Sequence, residues 1–91
     1  MAGVALNTDV TCVFVLFSIH DVMKAERVLK ERGIPFDTIP VPKEISSDCG
    51  MAIMTERSRQ GVVTEILKGA ELRIKGVYEK TTTGYRELTH G

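Results

Sequence analysis

Two kinds of apolar pattern alternate along the chain. Val10 to Phe17, within VTCVFVLFSI, is a run of β-branched and aromatic residues without helical spacing, which predicts a strand apolar on both faces. Carried on to Ile19, the run is about half of the roughly 20 residues that a bilayer-crossing helix needs, so it is a core element. At Ser18 the period changes. S-I-H-D is a capping-box variant with Asp21 in place of the usual Glu. Val22, Ala25, Val28 and Leu29 then recur at helical spacing, Lys24, Glu26, Arg27, Lys30 and Glu31 fall mainly around the rest, and Gly33 supplies the stop.

Phe36 to Val41 reads as a second extended segment. Pro35, Pro40 and Pro42 lack the N–H that a ladder requires, which confines such a strand to a sheet edge. Met51 to Thr55 is short and apolar on both sides, the mark of a central strand. Val62, Val63, Ile66 and Leu67 indicate a second amphipathic helix closed by Gly69. In Leu72 to Glu79, Leu72, Ile74 and Tyr78 alternate with Arg73, Lys75 and Glu79, as in an antiparallel edge strand with one wet face. The order β-α-β-β-α-β predicts an α+β fold of the ferredoxin-like type. Its four-stranded antiparallel sheet has strands one and three in the centre, strands two and four at the edges, and two helices on one face.

Helices on one face leave the other side of the first strand uncovered, and contiguous apolar surface of that kind asks for a partner. A homodimer through the open sheet face is the first candidate. The tail is the second, since TTTG can form a turn that returns Tyr85 to Leu88 alongside the fourth strand. The chain divides into an N-terminal extension 1–9, one domain 10–80 and a C-terminal tail 81–91. With 91 residues there is room for one domain only, which hides about 60 to 65% of the open chain's surface. No internal repeat appears.

Hydrophobic residues make up 43% and charged residues 26% of the chain, a globular balance. Lys plus Arg and Asp plus Glu are 12 each, and no basic cluster stands out, so nucleic acid and anionic membrane surfaces are set aside as partners. No Lys or Arg precedes Lys24, which argues against a secretory signal and for the cytoplasm, where thiols stay reduced. Two cysteines far apart, no CxxC and two histidines argue against a zinc site and a dithiol redox motif. No metal or other cofactor is implied.

That leaves Cys49, in the polar loop IPVPKEISSDCGMA. In the expected topology the first strand ends, the first helix begins and the loop between strands two and three turns at the same end of the sheet, which places Cys49 near His20. A thiol beside a helix N-terminus has its pKa lowered toward neutrality. Ser46 and Ser47 can donate hydrogen bonds to the sulfur, Lys43 adds positive charge, and Gly50 lets the backbone turn so that its amides approach. Asp48 opposes this. A low-pKa, accessible thiolate can take a sulfur or selenium atom from another protein as a persulfide or perselenide and pass it on. One cysteine suffices. Cys12, inside a buried strand, reads as core. His20 is a candidate for orienting or deprotonating Cys49, against the plainer reading of a solvent-facing residue in a first helical turn. Met23, Met51 and Met54 read as core filling, and Pro40 with Pro42 as a rigid strand end. The plain reading of Cys49 is a small residue filling a turn.

Two stretches, FSIHDVMKAE from Phe17 to Glu26 and GIPFDTIPVPKEISSDCG from Gly33 to Gly50, resemble the selenium/sulfur carrier-like family of small bacterial proteins. With the elements that follow, the resemblance covers roughly residues 10 to 79, and its sharpest part is PVPKEISSDCG. It implies a carrier with Cys49, at the matching C-G position, as the chalcogen-bearing residue. Pro40, Pro42, Lys43, Ser46, Ser47 and Gly50 also match the loop pattern, whereas His20 rests on topology alone. The leading expectation is a cytoplasmic carrier, more a carrier than an enzyme, that accepts sulfur or selenium from a donor such as a cysteine desulfurase and yields it to an acceptor enzyme. Two other readings stand beside it: a dimeric, non-catalytic ligand- or protein-binding module with a structural cysteine, and a redox-sensing thiol oxidised by peroxide.

Overall fold

Thr11–Leu16 form strand β1, and every one of its six residues is buried. A computed structural model describes residues 10–45 and 50–88 of the chain. After β1 come helix α1 (Ile19–Glu31), β2 (Asp37–Pro40), β3 (Met51–Glu56), a single 3-10 turn (Arg57–Arg59), helix α2 (Gln60–Gly69), β4 (Ile74–Thr81) and β5 (Gly84–Leu88). The strands make one sheet in the order β2-β3-β1-β4-β5, and each neighbouring pair runs antiparallel.

The architecture is α+β as expected, with five strands rather than four. β1 and β3 are interior and β2 is an edge, in keeping with its prolines. β4 is not an edge. Thr82 and Thr83 turn the chain, Thr81 pairs with Gly84, and the Thr81 hydroxyl donates to the Gly84 carbonyl at 3.1 Å. The segment read as a tail thus returns as β5 and covers the outer row of β4. Alternating polar and apolar residues report which face of a strand is wet; they carry no information on whether its outer backbone groups are paired.

Alternation along β1 feeds two cores. Cys12, Phe14 and Leu16 face the helices and join Val22, Ala25 and Leu29 of α1 with Val63 and Leu67 of α2. Val13 and Val15 face the other way and join Ala52 and Ile45, with Ile39, Val41, Met54, Tyr78 and Tyr85 packed against them. Both helices therefore lie on one face. On the second face Val13 and Val15 are only 1% exposed in the single chain, because the loop after β2 lays Ile45 across them and β5 contributes Tyr85. Gly76, paired with Val15, makes space there: a Cβ at this position would come within 2.9 Å of the Tyr78 ring.

Both helix ends follow from backbone chemistry. The Ser18 hydroxyl accepts from the Asp21 N–H at 3.1 Å and caps α1. At its C-terminus Gly33 takes φ 69, its N–H donates to Lys30 O and the Ile34 N–H donates to Leu29 O, a Schellman close. α2 ends in the same pair of bonds, Glu71 N–H to Lys68 O and Leu72 N–H to Leu67 O, but the left-handed residue is Glu71 at φ 64. Gly69, read as the stop, is the last residue within the helix.

Three apolar assignments also change. Val62 is exposed, because α2 buries Val63, Thr64 and Leu67. Met23 is exposed beside buried Val22, on the outer face of α1, while Met51 and Met54 do pack against the two cores. The ends of the first apolar run, Val10 and Phe17, lie outside β1 and in solvent.

Candidate functional site

The loop that carries Cys49 leaves β2 at Pro40 and rejoins the sheet at Met51, which pairs with Pro40. Its neck is closed by a further bond, the Val41 N–H donating to the Gly50 carbonyl at 3.0 Å. Proline at 40 and 42 removes two donors on either side of Val41, so this residue supplies the one N–H of the Pro40–Pro42 segment. Beyond the neck the chain turns at once, with the Ile45 N–H donating to the Pro42 carbonyl at 2.9 Å. Lys43 and Glu44 at the crest of this turn are exposed, and Ile45 is 5% exposed within the second core.

The loop is thus pinned at two places, by an apolar side chain in the sheet face and by a backbone bond at Gly50. Gly50 has φ 84, a left-handed conformation that costs a residue with a Cβ about 1–2 kcal/mol. It is exposed and opens onto the end of β3 that lies against the end of β1. His20, also exposed, sits in the first turn of α1, which starts three residues after β1 ends. Of the residues singled out from the sequence, Lys43, Gly50 and His20 are therefore placed, with Gly50 at the α1-proximal end of the sheet. Ser46, Ser47, Asp48 and Cys49 lie outside the described residues.

Cys12 is the other thiol, and its environment is closed. It has no exposed surface, its Sγ lies 3.3 Å from the Thr55 hydroxyl, and it makes a longer contact of 3.9 Å to the Glu56 carbonyl. Burial pushes its thiol pKa up, more than the Thr55 hydrogen bond and the charge of Arg57 lower it. A thiol so placed is a poor nucleophile. Among the described residues no group of three or more His, Cys, Asp or Glu side chains is placed to hold a metal ion, and no helix is long and apolar enough to cross a membrane.

Two features of this end of the molecule were not read from the sequence. Ile45 is the loop's anchor; a lone large aliphatic residue amid Pro42–Glu44 and Ser46–Asp48 was the available signal. Phe17, between the last residue of β1 and the Ser18 cap, holds its ring in solvent with the Arg73 guanidinium 4.7 Å from its centre. The wet-face pattern of Arg73 and Lys75 marked them as exposed without indicating what they stand beside.

A family model described as "Putative Se/S carrier protein-like" matches residues 11–79, from the first residue of β1 into β4. The match includes the whole β2–β3 loop and leaves out β5. No curated protein and no solved structure matches the chain.

Proposed function

The chain belongs to the Se/S carrier protein-like family, and from that premise we propose that it carries sulfur or selenium on Cys49. The observation that carries this reading is the state of the alternative. The chain has two cysteines, and Cys12 is sealed in the core with its thiol biased toward the protonated form. A chalcogen-bearing thiol has to be reached by a donor's sulfur, and that requirement falls on Cys49. The fastened neck of its loop and the left-handed Gly50 that follows it suit a thiol presented on a short, constrained segment.

The chemistry proposed is sulfane-atom transfer. The Cys49 thiolate attacks the terminal sulfur of a donor cysteine persulfide, a new S–S bond forms, the donor's S–S bond breaks, and the donor leaves as a thiolate. The acceptor repeats the exchange in the opposite direction, and selenium follows the same course through a perselenide. No electrons are gained or lost overall. The donor is a protein such as a cysteine desulfurase, the acceptor an enzyme that consumes the chalcogen, and the setting a reducing cytoplasm in which thiols remain free. The ferredoxin-like arrangement of the first four strands is the scaffold in this reading, with β5 as an addition to it.

Incubation with a cysteine desulfurase and cysteine, read by intact mass, tests the proposal. One added sulfur is expected on the wild type and on Cys12→Ala, and none on Cys49→Ala. A wild type without the added atom, or a Cys49→Ala variant that still gains it, overturns the assignment.

A further inference from the structure

Where β1 gives way to α1, the chain leaves three large apolar side chains in water: Phe17 is 46% exposed, Ile19 43% and Met23 59%. Ile19 and Met23 are four residues apart in α1, so they stand one above the other on one face of the helix. Phe17 precedes Ile19 by only the Ser18 cap. Over its ring stand two cations, Arg73 at 4.7 Å and Lys75 at 6.0 Å from the ring centre. Both are exposed. The ion pairs among the described residues gather instead on Glu56 and Glu79, which pair with Thr11 and Cys12 at the far end of β1. Arg73 and Lys75 make none.

Scattered apolar residues on a surface need no explanation. These three fall within one stretch at the β1–α1 junction, and the two cations over Phe17 meet no carboxylate among the described residues. The Arg73 guanidinium lies against the Phe17 ring, and among the described residues no acceptor takes its N–H groups, which keeps its planar fork available to a carboxylate. The complement of such a surface is an apolar side chain flanked by carboxylates. Phe17 directly follows β1 and Gly50, the residue after Cys49, directly precedes β3, and the two strands run antiparallel side by side, so both residues stand at the same end of the sheet. We propose that Phe17, Ile19, Met23, Arg73 and Lys75 form the docking surface for an acidic, apolar-anchored segment of the protein that exchanges its chalcogen with Cys49. The partner's role rests on the carrier reading above, whereas the surface itself does not. A single-stranded nucleic acid is the weaker fit. The chain carries equal numbers of acids and bases, and two of the three apolar groups are aliphatic and offer no flat ring for a base to stack on.

The isotope-labelled full chain, titrated with a synthetic peptide alternating Leu or Phe with Asp and Glu, tests this by amide chemical shifts. Shifts confined to residues 17–24 and 72–76 are expected. They should need several-fold more peptide as salt rises from about 0.05 to about 0.2 M, and about tenfold more in Arg73→Glu, a surface substitution that leaves both cores intact. Absence of shifts at millimolar peptide overturns the proposal. So does an equal response to the Asn/Gln version of the peptide, or tighter binding of a short single-stranded oligonucleotide to the same amides. Cys49→Ala should bind the peptide like the wild type. A chain that binds the peptide but takes no sulfur from polysulfide supports the surface and sinks the carrier reading.

Discussion

The Val41 N–H donates to the Gly50 carbonyl at 3.0 Å, so the loop that contains Cys49 begins and ends at a single point on the sheet. Gly50 holds its side of this closure at φ 84, and a Cβ there would meet no atom within 4 Å. The cost of a side chain is therefore one of backbone alone. Gly50→Ala is expected to lower stability by about 1–2 kcal/mol, read by urea denaturation, and to slow persulfide loading of Cys49. A variant as stable as the wild type would mean that the left-handed turn is not required.

Ile45 fastens the same loop from the other side, against Val13, Val15 and Ala52. Ile45→Ala should cost about 2–4 kcal/mol, a core-sized loss for a residue in a loop. Because the anchor lies four residues before Cys49, the rate of Cys49 alkylation should change along with stability. A loss below about 0.5 kcal/mol would show that the loop does not seal the sheet face.

Glycine and glutamate stand in exchanged places at the end of α2. Glu71 adopts φ 64, while Gly69 occupies a helical position with open space around its Cβ direction. Glu71→Gly should stabilise the fold by about 0.5–1 kcal/mol through relief of left-handed strain, and Gly69→Ala should add a smaller gain. Thermal denaturation of the single and double variants checks both signs. A less stable Glu71→Gly would point to a contact of the Glu71 side chain that outweighs the strain.

Acid should weaken the fold through Glu79. This carboxylate accepts a hydrogen bond from Arg86, and the Arg57 Nε lies 3.3 Å from its other oxygen without the alignment of a hydrogen bond. The Arg86 bond above all, then the two positive charges, hold its pKa below the ordinary carboxylate range. A depressed folded-state pKa means that the stabilisation is full above the ordinary value of about 4.3 and is lost as pH falls through the lower, folded one. The stability gap between wild type and Glu79→Gln should therefore close between about pH 5 and pH 3. Parallel curves would assign the acid sensitivity to other groups.

Much of this architecture could be read from residue order because its signals are local. Ser18 and Gly33 bracket α1 by capping chemistry, the prolines place β2 at an edge, and the double-sided apolar run places β1 inside. What escaped was set by contacts distant in sequence. The return of Tyr85 to Leu88 alongside β4 is one of two covers that TTTG and the open face allow, and it is the one that forms; what the alternation of β4 leaves out is that this pairing makes it an interior strand. Ile45 looks like any loop residue until the second face of β1 needs a cover. Met23, by contrast, reads as core by residue type alone, yet Glu26, Arg27 and Lys30 lie one and two turns on from it while Ala25 and Leu29 continue the stripe of Val22, so spacing rather than hydrophobicity decides which of the two is buried. For the site, the buried state of Cys12 followed from its strand, while the surface around Phe17 depended on β4 bringing Arg73 to it.

The second core has one more consequence, an optical one. The chain contains two tyrosines and no tryptophan, and both Tyr78 and Tyr85 pack on the face that Ile45 covers. Intrinsic ultraviolet emission of this protein therefore comes from the layer beneath the Cys49 loop. A chalcogen arriving on that loop, or leaving it, can be followed without a label if the event shifts the seating of Ile45.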